Sequence, residues 1–264
     1  SSGQVSENEV RKILRTAWDS GVCVLDTAAA YGTSEEVLGR TIESDCQFNI
    51  ITKIGVDYNQ GGTAKFIRQT FESSLKKLRR ESVYSLMFHD ADDLCLNNSD
   101  EAYKTLFTLK QEGQIKKIGV SAYTQEQLEK VRKRYDIDLV QVPFNIFDQR
   151  LIQSGYLKQL HDAGIEIHTR STFLQGLILM NPDKLKPFFN PIRPILQKFH
   201  DEAAKFGTTP LKLALTYVYN FDTISYIIIG VTKLKELQDI LSGYIDFNRF
   251  QVNDEKMINP IFWK

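Results

Sequence analysis

Residues 22–53, VCVLDTAAAYGTSEEVLGRTIESDCQFNIITK, carry the pattern that decides the fold. An apolar run at 22–26 ends in the carboxylate Asp26. A helical stretch follows at 34–42, and a second apolar run at 49–53 ends in the amine Lys53. Neither run alternates as a strand with one wet face would, so both read as strands buried on two sides, the habit of parallel strands covered by helices. The unit then repeats. Further runs at 84–89, 117–121, 139–143, 165–170 and 226–230 bring the expected strands to seven, and helical stretches at 65–79, 100–112, 125–134, 152–163, 194–206, 210–219 and 233–242 fill the gaps. Such βα repetition predicts an α/β fold with a parallel sheet.

A helix also precedes the first run. Ser6 and Glu9 have capping-box spacing, Val10, Ile13, Leu14, Ala17 and Trp18 share a face, and Gly21 ends it. Thr33 with Glu36 and Thr124 with Gln127 repeat the cap spacing, and Pro210 after Thr209 sits where a first helical turn tolerates proline. A (β/α)8 TIM barrel opens with a strand and takes about 250 residues as one domain. The expectation is therefore a single barrel domain over 1–264 whose first strand lies upstream of Ser1. A doubly wound open sheet competes, but no Gly-x-Gly-x-x-Gly turn follows any run. The strand-free interval 171–225, with Pro182, Pro187 and Pro191, reads as an elaborated connection over a site mouth.

Composition narrows the function. The 33 Lys and Arg balance the 33 Asp and Glu with no long like-charge block, which argues against a nucleic-acid partner. The three cysteines, Cys23, Cys46 and Cys95, have neither metal-ligand nor CxxC spacing and fit a reduced chain, so no metal is expected. No apolar run approaches the ~18 residues of a membrane span, and residues 1–10 lack a signal peptide's basic and apolar regions. A cytoplasmic protein is expected; because the chain starts at Ser1 rather than Met, a preceding segment is expected to have been removed.

Barrel active sites lie at the C-terminal ends of the strands, where Asp26, Lys53 and His89 each terminate an apolar run, with Tyr31 five residues past Asp26. A buried Asp or Lys costs several kcal/mol unless paired, so Asp26 and Lys53 at neighbouring strand ends invite an ion pair. An ammonium beside a phenol favours the phenolate and tunes Tyr31 for proton donation near neutral pH. The bland alternatives are a structural ion pair, a core histidine and a packing aromatic.

The run Asp26-Thr27-Ala28-Ala29-Ala30-Tyr31-Gly32, with Ser34-Glu35 and Leu38-Gly39 after it, resembles the signature of the aldo-keto reductase family. Lys53 and His89 stand where that family keeps its other catalytic residues. Ile118-Gly119-Val120-Ser121, Gln141-Val142-Pro143-Phe144-Asn145 and Gln175-Gly176-Leu177 extend the likeness in order, from about Ser6 to Ser242. The resemblance implies NADPH-dependent reduction of an aldehyde or ketone, NADH not being excluded. Tyr31 is then the general acid, Lys53 its tuning cation, Asp26 the counter-ion and His89 the group that orients the substrate oxygen. Ser121 and Gln141 match positions that bind the nicotinamide carboxamide.

The likeness also has gaps. Ala122 stands where an asparagine is common, and His168-Thr169-Arg170-Ser171 replaces a nicotinamide-stacking tyrosine, leaving Arg170 to stack its guanidinium or bind an anionic substrate. Around Gly230-Val231-Thr232-Lys233, Thr232 and Ile240 stand where the family places an arginine and an asparagine for the 2′-phosphate and adenine. Lys233 and Lys235 remain as positive charge at a helix start or as solvated lysines. The expected cofactor-binding set is Ser121, Gln141, Arg170, Ser171, Gly230, Thr232 and Lys233. The expected partner is a small carbonyl compound, with no nucleic acid and no membrane. Phe144, Phe147 and Phe173 read as pocket walls or as core, and Arg150 with Arg170 hints at an anionic or sugar-like substrate. Two other functions compete: a non-catalytic nucleotide-binding subunit on the same barrel, and a Schiff-base lyase using Lys53, which an Asp26 partner would keep protonated and unreactive.

Overall fold

The computed structural model describes residues 4–58 and 63–242. In chain order the elements are α1 (Glu7–Asp19), β1 (Val24–Asp26), α2 (Ser34–Thr41), β2 (Asn49–Ile54), α3 (Thr63–Leu78), β3 (Val83–Phe88), α4 (Asp92–Cys95), α5 (Asp100–Gln111), β4 (Ile115–Ser121), α6 (Gln125–Arg132), β5 (Leu139–Pro143), α7 (Arg150–Gln153), α8 (Tyr156–Asp162) and β6 (Glu166–Arg170). Three 3-10 turns follow (Leu174–Leu179, Pro182–Lys184, Pro187–Ile192), then α9 (Arg193–Lys205), α10 (Pro210–Tyr219), β7 (Tyr226–Ile227) and α11 (Leu234–Leu241). The contacts divide these into two compact units, the first holding residues up to Val142 with 164–166 and 231–237, the second the remainder.

In the first unit the strands pair in parallel and in sequence, β1 with β2, β2 with β3, β3 with β4 and β4 with β5. That order never reverses. A doubly wound sheet reverses its strand order at a switch point, so the sequential order favours the barrel reading. Burial explains the apolar runs: Ile51, Leu86, Met87, Phe88, Val120, Leu139, Val140 and Val142 are all fully enclosed. The longer helices each bury an apolar stripe. On α1 this is Leu14 and Ala17, with Trp18 set edge-on to Phe48 at 5.0 Å. The α2 and α3 backbones meet at Gly39, where a Cβ would lie 2.0 Å from the Lys77 carbonyl oxygen, so only glycine fits.

The expected caps are only partly right. Ser6 accepts from the Glu9 N–H, Thr124 and Gln127 form a complete capping box, and Thr209 accepts from the Lys212 N–H above Pro210. Thr33 makes no side-chain cap; its hydroxyl takes the exposed Gln4 amide instead. The helix expected at 152–163 is two helices, because left-handed Gly155 breaks it between α7 and α8.

The second unit pairs β6 with β7 in parallel and packs a core of Ile146, Ile178, Leu196, Phe199, Leu213 and Ala214. Phe147 lies edge-on to Phe199 at 5.5 Å, Phe173 packs on the same core, and buried Phe144 contacts Tyr217 and Phe221. Phe144 is thus core, while Phe147 and Phe173 are partly buried against the cluster. The interval after β6 holds the three 3-10 turns, α9 and α10, and its entry carries three non-glycine residues with positive φ, Ser171, Leu174 and Gln175.

Candidate active site

Parallel pairing puts the C-terminal ends of β1 to β5 at one edge of the first unit's sheet. Asp26 closes β1, Lys53 lies one residue from the end of β2, His89 follows β3 directly, and Ser121 closes β4 with Gln141 opposite it in register on β5. Main-chain bonds tie these ends together: Thr27 N–H to the Ile51 carbonyl, Ala29 N–H to that of Lys53, His89 N–H to that of Ile54 and Ala91 N–H to that of Ser121.

Lys53 is the centre of the group. Its side chain is 1% exposed, and its ammonium donates to Asp26 Oδ1 and, at 3.1 Å, to the Thr27 carbonyl. The second oxygen of Asp26 accepts from Gln141 Nε2 at 2.8 Å. A buried cation is thus matched by a carboxylate that is itself held by an amide, the condition under which burying an ion pair is tolerable. Gln141, expected to serve the nicotinamide carboxamide, is seen to orient this carboxylate, a role its position in the sequence did not reveal.

Tyr31 is presented by two consecutive turns, its N–H donating to the Ala28 carbonyl and its own carbonyl accepting from Ser34. Gly32 turns the chain with φ +56°, a conformation an L side chain rarely adopts, and the Thr27 hydroxyl donates to Ser34 Oγ at 3.0 Å beneath it. The result is a phenol 48% exposed, whose ring centroid lies 5.3 Å from the Lys53 ammonium and 5.6 Å, edge to face, from the His89 ring. The four expected catalytic residues therefore meet within the first unit: a half-exposed phenol has a cation and an imidazole among its neighbours.

Two further acids lie nearby. Glu35 is 2% exposed on α2, its Oε1 accepting from the β2 hydroxyl of Thr52 at 2.6 Å. Its helical spacing with Leu38 and Gly39 was the sequence signal that it faces inward. In the loop after His89, burial and the charge of Asp90 push the Asp93 carboxyl up to about 6. The Asp93 carbonyl accepts from Tyr58, whose phenol burial pushes up to about 12.

The remaining expected residues fall elsewhere. Arg170 ends β6, left-handed Ser171 follows it, and Gly230 follows β7, all in the second unit. Arg150 is gripped by both oxygens of buried Asp148, so its charge serves first to balance that carboxylate. Thr232 and Lys233 are exposed ahead of α11 in the first unit. Glu43, Asp45 and Cys46 bring ligand atoms within 4.8 Å of one another, but they enclose the Arg15 guanidinium, which donates to Asp45 at 2.6 Å and holds its carboxyl below the usual range.

The fit to a nicotinamide dinucleotide differs at its two ends. Ser121 and Gln141, buried side by side, offer the hydroxyl and primary amide that a carboxamide needs. The entrance to α11, where a 2′-phosphate was expected, carries the carboxylates of Glu9 and Glu236 on its backbone amides.

Comparison with known proteins gives the same picture. The chain is 29% identical over 291 residues to Aldo-keto reductase YhdN of Bacillus subtilis, covering 98% of this chain and 85% of that one. It is 24% identical over 267 residues to L-glyceraldehyde 3-phosphate reductase of Escherichia coli, covering 87% and 77%. Among solved structures it superposes on the glycerol dehydrogenase AKR11B4 of Gluconobacter oxydans with TM-score 0.75 (24% identity, 92% of this chain, 82% of that one). It matches the holo form of aldo-keto reductase AKR11C1 from Bacillus halodurans with TM-score 0.76 (20%, 91%, 83%). These likenesses show the fold, the (β/α)8 barrel of the aldo-keto reductases. The family pattern described as "Aldo/keto reductase family" matches residues 1–259, and the chain belongs to that family, oxidoreductases that use nicotinamide cofactors.

Proposed function

We infer that the protein reduces an aldehyde or ketone to an alcohol, with Tyr31 as general acid. The observation that carries this is the placement of a half-exposed phenol between the Lys53 ammonium and the His89 ring, at the strand ends of a barrel. A bound dihydronicotinamide supplies the hydride; NADPH is the donor the family resemblance implies. The chain's own residues do the rest. Tyr31 Oη releases its proton to the carbonyl oxygen as that oxygen gains charge, and the Lys53 ammonium stabilises the phenolate left behind. Asp26 keeps Lys53 charged and in place, and Gln141 keeps Asp26 in place. His89, reaching from the end of β3, donates a hydrogen bond to the same carbonyl oxygen; holding the reacting atoms in line in this way removes several kcal/mol of barrier. Ser121 and Gln141 would hold the nicotinamide carboxamide through their hydroxyl and amide groups.

The Schiff-base reading is weakened by the same geometry, because an ammonium donating to a carboxylate is a poor nucleophile. Titration with reduced dinucleotide, followed by nicotinamide absorbance across a panel of aldehydes, tests the proposal. Saturable binding with turnover is the expected result. Binding without turnover of any carbonyl would favour a regulatory nucleotide-binding subunit instead.

A further inference from the structure

Helix α11 begins with its free N–H groups already taken by acids. The Thr232 and Lys233 N–H groups donate to Glu236 Oε2 at 2.7 and 3.2 Å, with the Thr232 hydroxyl on the same oxygen at 3.1 Å. The Leu234 N–H donates at 2.7 Å to Glu9 Oε1, a residue of α1 lying 225 positions away in the chain. One carboxylate is a local cap of the helix; the other is brought in by tertiary structure. The Glu9 side chain therefore does not complete the capping box of its own helix. Donation from the Thr232 N–H, opposed in part by burial, holds the Glu236 carboxyl below the usual range, so it is anionic at neutral pH.

In barrels the loops after the last two strands and an adjoining helix N-terminus form the usual phosphate site, because bare N–H groups and the helix dipole favour an anion there. Here three consecutive N–H groups of that kind are occupied by two carboxylates of the protein itself. A phosphate arriving at this entrance meets like charge and finds those donors taken, whereas a ribose hydroxyl meets ready acceptors. In dinucleotide folds generally, a carboxylate at the adenosine ribose accepts from the 2′-hydroxyl, and a cation is needed to take a 2′-phosphate. The cations beside the entrance, Lys233 and Lys235, are exposed, and Lys233 already lies in the field of Glu236.

We propose that Glu9 and Glu236 make the entrance to α11 a discriminator against the 2′-phosphate, so that this chain takes NADH in preference to NADPH. This reverses the expectation drawn from family resemblance, and it rests on the reading of the protein as a nicotinamide-dependent reductase.

The test is equilibrium binding of NADH and NADPH, by fluorescence titration and thermal shift, to the full chain and to its Glu9→Gln, Glu236→Gln and doubly substituted forms. Glutamine keeps an oxygen that accepts the backbone N–H while removing the charge. The wild-type chain is expected to bind NADH about tenfold more tightly than NADPH, each substitution to narrow that ratio, and the pair to abolish it. Wild type supplies an independent arm should a variant fold poorly. Added salt is expected to narrow the ratio by screening repulsion, whereas an attractive phosphate site would lose NADPH faster than NADH. Tighter binding of NADPH by wild type, or substitutions that alter both affinities equally, would overturn the inference and leave the reductase reading standing. Failure of both dinucleotides to bind would remove the inference and the reductase reading together.

Discussion

The pair formed by Lys53 and Asp26 illustrates how a functional residue constrains stability. Lys53 is 1% exposed, and mostly buried Asp26 accepts from it and from Gln141, so each charge is balanced chiefly within the protein. Replacing Lys53 by methionine fills the space but leaves a mostly buried carboxylate with only an amide, a change expected to cost about 3–5 kcal/mol. Adding Asp26→Asn to Lys53→Met removes the stranded charge and is expected to restore most of that loss, measured by denaturant unfolding, while leaving the protein inactive. No recovery in the double variant would mean that the two residues do not act as a pair. At this scale the sequence was informative: Asp26, Lys53, Tyr31 and His89 were legible because each ends or follows an apolar run. The grip of Gln141 on Asp26 was not, because it joins residues 115 positions apart through side chains alone.

At the scale of elements, the contact of α2 with α3 is the most exacting. A methyl group at Gly39 would sit 2.0 Å from the Lys77 carbonyl oxygen and 2.9 Å from the carbonyl carbon of Leu78, both backbone atoms that cannot swing aside. Gly39→Ala is expected to destabilise the fold by about 1–3 kcal/mol or more, whereas Gly55→Ala, with nothing within 4 Å of the added carbon, is expected to be near neutral. Equal melting temperatures for the two variants would contradict the close approach. The elements themselves were largely readable, since two-sided burial marks β2 to β5 and helical periodicity marks α1, α3, α5 and α10. The failures have local causes. Helix α4 has four residues, too few to show a period, and Gly155 interrupts an apolar pattern that otherwise runs on from α7 into α8. The spacing of Thr33 and Glu36 satisfies a cap rule that the backbone at Thr33, with φ −93° and ψ 8°, does not follow. Glu9 obeyed its cap rule at the backbone while its side chain answered to a helix at the other end of the chain.

For the molecule as a whole, pH couples to folding through Asp93. Burial, and then the neighbouring charge of Asp90, raises its carboxyl from the ordinary 3.8 to about 6, so the folded state holds a proton that the unfolded chain has released. The group's contribution is therefore full below about pH 4 and is lost as pH rises to about 6. Asp93→Asn, which keeps an acceptor for the backbone N–H of Val56, is expected to raise the melting temperature at pH 7 and to give a smaller gain at pH 4.5. An equal change at both pH values would show that the carboxyl does not titrate abnormally. The central claim concerns chemistry, and it is tested most directly by the turnover of Tyr31→Phe measured at saturating reduced dinucleotide and aldehyde, with cofactor affinity measured on the same sample. The account predicts undiminished affinity with carbonyl reduction lowered by a factor of about 100–10,000, the loss that follows removal of a general acid. A variant that turns over as fast as the wild-type chain would contradict it.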